Sequence, residues 1–519
     1  ISVVSKASYY PFGPLNTLTF GNTRTLTKTY DQDYAISSIA SSISGGLMLG
    51  LGVDVMGDIT RASASLNPAT PDRRYAYDPL YRLTTAQTGA TPPAPLENYS
   101  YDKTGDRLSA SLNGGTAQAY TYTAGTHQLA SVGGTARSVD PNGNLTAPNT
   151  GAFPSFTYDN RNRLSGGTLS QTNPPPCDPD TGCHPTPTLS TVVTYTYDGR
   201  GQRVNKTRSD LTDGALFRTT TNLLFGYDEG GRLLGDYAKT GAVQDEYVYL
   251  DNVPIAVVAG GSLYAIETDQ LGTPRLAFNP ATNATVWSWD PLASTFGTNA
   301  PTGSLTLNLR FPGQYFDAET GLHYNYKRDY ESATGRYTES DPLGLDGGIS
   351  TYGYASSQPL GKIDPSGMLS FGPTCSATKR IQIAVALIDM GAELLKNACG
   401  SSGGSGGGGS CSSGHCMPCE QARKILEWYL TTATIDCNLS FACGLTAPHL
   451  STTNMSLSGS YISTGRPEGC GCLSSTLLHE ALHINHEIAG THSDDDGAEE
   501  NNTRRETKKC ISCARSDFK

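Results

Sequence analysis

Charge is scarce in this chain, and so are long apolar runs. Charged residues make up 16% of the 519 positions, and Lys and Arg form no long tracts. With a formal net charge of -11, a general nucleic-acid-binding surface is not expected. The longest apolar stretch near the start, Ile43 to Met56, is interrupted by glycines and is too short to span a bilayer, so no stable membrane insertion is expected from it. No charged-then-apolar leader is present. The chain opens at Ile1 inside strand-like sequence, which suggests a fragment or processed product with any export signal upstream. Cysteine is sparse in one part only. Residues 1 to 368 hold Cys177 and Cys183, whereas residues 369 to 519 hold eleven. The short C-terminal segment is therefore expected to supplement a small core with cross-links or metal.

Gly (58) and Tyr (28) are abundant, which suits short strands joined by tight turns. A self-similar pattern runs from the first residues to about 340. Its clear copies are Tyr75-Ala-Tyr-Asp78 with Arg82, Tyr99-Ser-Tyr-Asp102 with Arg107, and Phe156-Thr-Tyr-Asp159 with Arg163. Two more are Tyr195-Thr-Tyr-Asp198 with Arg203 and Phe225-Gly-Tyr-Asp228 with Arg232. Aromatics at i and i+2 share one face of a strand. The Asp, with nearby Gly or Asn, supplies a turn, and the Arg-Leu or Arg-Val pair opens a return strand. A hairpin of this kind cannot bury its aromatic face alone, so a continuous stacked sheet is expected. The pattern resembles the YD-repeat family, which includes Rhs proteins and the C components of insecticidal Tc toxins. That resemblance implies a mainly β shell, a spiralling antiparallel sheet closed into a cocoon over residues 1–309. The insert Thr172 to Leu189, with Cys177 and Cys183, reads as a surface loop whose cysteines are either bonded to each other or free.

Residues 310–368 resemble the Rhs-associated core domain. The segment runs through Arg310-Phe-Pro-Gly-Gln-Tyr-Phe-Asp317, Tyr324-Asn-Tyr326, Arg328 and Gly335-Arg-Tyr337. It ends in two Asp-Pro-X-Gly-X motifs, Asp341–Leu345 and Asp364–Met368, with 18 residues between them. The resemblance implies an intramolecular aspartyl-protease-like site. Asp341 and Asp364 would be the paired carboxylates, Arg328 the accompanying arginine, and Met368–Leu369 the bond that is cut. Two close carboxylates cannot both ionise easily, so one can act as base and the other as acid.

From 369 to 519 the composition suggests an α-rich (α+β) cargo, with helices over Lys379 to Ala398 and Glu420 to Thr432 flanking a Gly/Ser tract. The segment Ser474 to Gly490 reads as a third helix. On it His479 and His483 project one turn apart from one face, able to bind one zinc ion, with Glu480 beside them as general base. This His-Glu-X-X-His pattern resembles the zincin metallopeptidases, and the resemblance implies a Zn²⁺-dependent peptidase. Glu499 or Glu500 is the favoured third ligand, with His486, His492 and Asp494 to Asp496 as rivals. The Cys-X-X-Cys pairs Cys416/Cys419 and Cys510/Cys513 suit disulfides or a structural zinc site. The leading expectation is a toxin whose shell encloses, cuts and releases a zinc peptidase, secreted or injected to attack a protein in a target cell. An immunity protein and a secretion-apparatus component would be its partners, and nucleic acid would not. Two alternatives stand beside it: a non-enzymatic cell-surface adhesion protein, and a toxin tail of another class such as a nuclease.

Overall fold

The computed structural model describes residues 2–368 except 12–13, 33, 149–154, 172–176, 179–181, 184–188 and 213–214, together with the short strands Thr434–Asp436, Leu445–Thr446 and Asn454–Ser456. The chain divides into two units. One takes in residues 15–344 and 350–370 with the first nine residues, and the other holds residues 10–14, 345–349 and 371–519.

The first unit is antiparallel throughout its main sheets. Among the described residues, thirteen strands from Val4–Tyr9 to Thr135–Ala136 pair strictly in chain order. Twelve more, from Ser155–Tyr158 to Thr302–Gly303, do the same, skipping only the small Cys177–Asp178/Gly182–Cys183 hairpin. Neighbour-to-neighbour pairing is what a run of hairpins must give, because each return strand meets its partner across a short turn.

The repeat has a detailed logic. In every clear copy the first aromatic is buried: Tyr75, Tyr99, Phe156, Tyr195 and Phe225. The second is half-buried, and its hydroxyl donates to a backbone carbonyl of the preceding return strand. Tyr77 bonds Ile59 O at 2.8 Å, Tyr101 bonds Leu83 O at 2.9 Å, and Tyr158 bonds Leu145 O at 2.8 Å. Tyr197 bonds Leu164 O at 2.7 Å and Tyr227 bonds Arg203 O at 2.8 Å. The aspartate then closes the turn with its own carboxylate. Asp78 Oδ1 accepts the Leu80 and Arg82 amides at 2.9 and 3.0 Å, and Asp159 Oδ1 accepts those of Arg161 and Arg163 at 2.8 and 3.1 Å. These turn amides would otherwise lack partners.

The arginine has two fates, set by its distance from the aspartate. Four residues on, Arg82, Arg163 and Arg232 turn back to pair with Asp78, Asp159 and Asp228. Five residues on, the side chain falls on the opposite face, as the two-residue period of a strand demands. Arg107 and Arg203 are accordingly buried and reach across to the segment after 310. Arg107 Nη1 donates to Thr334 O at 2.7 Å, and Arg203 pairs with Asp317.

The two large sheets meet across a shared core. Phe20 packs edge-on against Phe278 at 5.2 Å between ring centroids, and Arg24 Nε meets Glu267 at 2.8 Å with neither side chain exposed. Residues 310–368 form a small antiparallel sheet of Tyr315–Phe316, His323–Asn325, Arg328–Glu331 and Arg336–Tyr337. It rests on an aromatic cluster in which Tyr330 lies 4.6 Å from Tyr354 and Phe311 5.7 Å from Tyr354. Such pairs contribute about 0.5–1.5 kcal/mol each beyond the area they bury.

The second unit contributes one described sheet, in which Asn454–Ser456 pairs in parallel with Thr434–Asp436 and antiparallel with Leu445–Thr446. The helices expected at 379–398, 420–432 and 474–490 lie outside the described residues. Among the described residues no helix is long and apolar enough to cross a membrane.

Candidate active site: two aspartates on one arginine

The sequence motifs around the two Asp-Pro pairs converge on Arg328. This residue begins the strand Arg328–Glu331, and its side chain is 2% exposed. One nitrogen, Nη2, lies 2.8 Å from Asp341 Oδ2 and 3.2 Å from Asp364 Oδ2. Its remaining donors are also used. Nη1 donates to Thr351 O at 3.0 Å, and Nε donates to Gly367 O at 2.5 Å. The guanidinium lies over the Tyr337 ring, 3.7 Å from its centroid. A fork of fixed donors suits this task, because arginine stays charged while bonding several oxygens in one plane.

Each aspartate is set by its own turn. Asp341 Oδ1 accepts the Leu343 amide at 2.9 Å, and the Asp341 amide donates to Thr351 O at 2.7 Å. Asp364 Oδ1 accepts the Met368 amide at 2.9 Å, so the second motif curls back on its own carboxylate. The Tyr337 hydroxyl donates to Asp364 Oδ2 at 2.9 Å. Asn325 Nδ2 fixes the backbone of the same residue by donating to Asp364 O at 2.7 Å.

The glycines here are steric requirements. Gly313, in the Arg310-Phe-Pro-Gly turn, has φ +90°, and a Cβ on it would fall 2.2 Å from Pro365 O. Gly367 has φ +68°, and a Cβ would fall 2.5 Å from Asn325 O. Both positions therefore need a residue without a side chain.

Burial pushes both carboxyls up. Asp341 rises from 3.8 to about 6, with Arg328 and the Leu343 amide pulling the other way and Asp364 adding to the rise. Asp364 is raised by deeper burial, against the pull of Arg328 and its hydrogen bonds. A pair of desolvated carboxylates sharing one cation is the electrostatic form of an acid–base pair.

Arg328, Asp341 and Asp364 are thus brought together, and Met368 is tied to Asp364. Leu369 lies outside the described residues, as do His479, Glu480, His483, Glu499 and Glu500. Among the described residues no group of three or more His, Cys, Asp or Glu is arranged to hold a metal ion. Reading the motifs gave no role to Tyr337, Asn325 or Gly313, although all three stand inside the segments that carried the resemblance. Thr351 was invisible, because it acts through its carbonyl.

The teneurin YD-shell family model matches residues 16–347. Double-stranded DNA deaminase toxin A of Burkholderia cenocepacia is 29% identical over 355 residues, covering 63% of this chain and 22% of that protein. The probable deoxyribonuclease RhsB of Dickeya dadantii is 28% identical over 361 residues, covering 61% of this chain and 22% of that protein. The chain therefore spans about a fifth of the length of these relatives. The structure of the Photorhabdus luminescens Tc holotoxin pore superimposes with a TM-score of 0.53 at 15% identity, over 70% of this chain and 19% of that chain. Its likeness is one of fold: a mainly antiparallel β shell.

These names overturn the expectation of a zinc metallopeptidase. The relatives are called a DNA deaminase toxin and a probable deoxyribonuclease, names of enzymes that act on DNA and not of metallopeptidases. The His-Glu-X-X-His pattern that carried this expectation is short, and a five-residue pattern recurs by chance. The expected protein substrate loses its support with it. What stands is the shell: its repeats, its sheets and a family match over well more than half of the chain. On that ground the protein belongs to the teneurin YD-shell family, as a shell of the Rhs, YD-repeat type.

Proposed function

We propose that this chain is the self-cleaving end of a toxin shell, in which Asp341 and Asp364 hydrolyse the Met368–Leu369 bond and free the segment 369–519. The observation that carries this reading is a single buried guanidinium holding two carboxylates at 2.8 and 3.2 Å, the second of which also holds the amide of Met368 at 2.9 Å. In this reading water adds to the Met368 carbonyl carbon and gives its proton to Asp341, which is ionised at neutral pH. The bond to the Leu369 nitrogen then breaks, and the leaving amine takes a proton from the acid of the pair. Arg328 keeps a negative charge tolerable in a site from which water is largely excluded.

The freed segment, in this reading, acts on nucleic acid. What supports that is the naming of relatives as a DNA deaminase toxin, deoxyribonucleases and a tRNA-specific nuclease. Enclosure within the shell, delivery by secretion or injection into a target cell, and a cognate immunity protein belong to the same reading, since the relatives are toxins.

The test is a denaturing gel and mass spectrometry of the full chain. Wild type is expected as two fragments with Leu369 as a new N-terminus, and Asp341→Asn and Asp364→Asn each as one band. An intact wild-type chain sinks the cleavage half. Incubating the cleaved chain with duplex DNA, single-stranded DNA and tRNA tests the other half, which fails if all three remain unchanged.

A further inference from the structure

A second pair of carboxylates lies next to the first, and the cleavage chemistry does not use it. Asp329 follows Arg328 on its strand, and Glu339 stands two residues before Asp341; they are 3% and 2% exposed. The strand pair here runs Tyr330 opposite Tyr337 and Glu331 opposite Arg336. One step further, the backbone ladder frays. Thr338 N–H still donates to Asp329 O at 2.9 Å, but the Thr338 carbonyl is taken by the Leu145 amide at 3.0 Å. The Asp329 amide instead donates to the side chain of Glu339, at Oε2, at 2.8 Å. A carboxylate thus replaces the missing backbone acceptor and carries the ladder on toward Asp341.

Each acid keeps one oxygen out of any hydrogen bond: Asp329 Oδ1 and Glu339 Oε1 are buried without a partner among the described residues. Two ionised carboxylates in such a dry place would repel strongly. The other groups facing the pair are Arg203 and Asp317, Arg328, and the hydroxyls of Tyr158, Tyr197 and Tyr352. Tyr158, Tyr197 and Tyr352 spend their protons on the carbonyls of Leu145, Leu164 and Gly143.

We propose that Glu339 is a positioning residue of the cleavage site: by accepting the Asp329 amide it fastens the strand that carries Arg328 to the segment that carries Asp341, so that one guanidinium meets both aspartates. This rests on the cleavage reading given above. Glu339 touches no reacting atom, and its effect passes through the backbone of Asp329 to Arg328.

The experiment follows self-cleavage of the full chain made by cell-free synthesis, across pH 5 to 9, with Glu339→Gln, Glu339→Leu and Asp341→Asn. Glu339→Gln keeps an acceptor oxygen for the Asp329 amide. It is expected to cut within about twofold of wild type at pH 7, because the Asp329 amide keeps its acceptor. Glu339→Leu fills the space without an acceptor and is expected to slow cleavage at least tenfold, equivalent to about 1.4 kcal/mol in the barrier, with the shell still resistant to limited proteolysis. A folded Glu339→Leu chain that cuts at the wild-type rate overturns the proposal, as does a Glu339→Gln chain as slow as Glu339→Leu. Should Glu339→Leu fail to fold, Glu339→Ala takes its place, and a folded Glu339→Ala chain that cuts at the wild-type rate overturns it. Continued cutting by Asp341→Asn instead removes the cleavage reading itself, so the two failures are distinct.

Discussion

Arg203 and Asp317 form an ion pair across 114 residues of sequence, with side-chain exposures of 1% and 0%. Lys206 completes it, with Nζ 3.0 Å from both Asp317 Oδ1 and Glu319 Oε2. Burial works against the charge on Asp317, but Arg203 and Lys206 hold its carboxyl below the ordinary range. This cluster ties a repeat hairpin to the segment that carries the candidate active site.

Breaking one side of that pair should cost more than removing both. Arg203→Met leaves Asp317 buried against Lys206 alone and is expected to destabilise the first unit by about 3–5 kcal/mol. Arg203→Met with Asp317→Leu should lose clearly less, because no orphaned charge remains. Denaturant unfolding of the uncut Asp341→Asn background reads both values, and equal losses would refute the account.

Stability should fall as the pH rises from about 4 to 7. Burial raises Asp329 to about 7 and Asp341 to about 6, so the folded chain holds these protons more tightly than the unfolded chain does. Their contribution is complete below the ordinary carboxylate range and is lost as the pH climbs through the folded-state values. The first unit is expected to melt higher at pH 5 than at pH 8, and Asp341→Asn to flatten part of that slope. A melting temperature that rises over the same interval contradicts the assignment.

Gly367→Ala should slow self-cleavage at least tenfold. The added Cβ would fall 2.5 Å from Asn325 O at a position with φ +68°, displacing the carbonyl that Arg328 Nε holds. Gly321→Ala is the control, since φ is +73° there but no atom lies within 4 Å of the new Cβ. It carries the strain of a left-handed residue, about 1–3 kcal/mol, without the collision. Equal cleavage by the two variants would show that the close approach is irrelevant.

Much of the shell was legible because its rules are local. Tyr75 and Tyr77 share a strand face, and Asp78 closes its turn, within a span of a few residues. The paired Asp-Pro motifs were legible for another reason: Gly313 and Gly367 must be glycine whatever surrounds them, so the segment tolerates little change of wording. What escaped was everything decided across strands. Nothing near Arg203 in sequence announces Asp317, and the difference between Arg163 and Arg203 is one residue of spacing whose meaning appears only with a sheet face. Trp287 and Trp289 are both buried, and the Trp289 ring nitrogen donates to Asn299 O at 2.7 Å, ten residues further along the chain. Asp329 and Glu339 show no pattern at all, since the ladder they mend is defined by a carbonyl that Leu145 has taken.

The tyrosine hydroxyls have a consequence for how such shells change length. Each hairpin is fastened to the one before it by the same bond, from Tyr77 to Ile59, Tyr197 to Leu164 and Tyr227 to Arg203. A hairpin gained or lost whole leaves the join on either side intact, so inheritance can edit the shell in units of a rung. The interval between Arg107 and Arg203 is different, because each of these residues has a fixed address on the segment after 310. A rung added there would put the second arginine out of step with Asp317, whereas extra chain between the paired strands Leu164–Gln171 and Leu189–Tyr197 leaves the count of rungs unchanged.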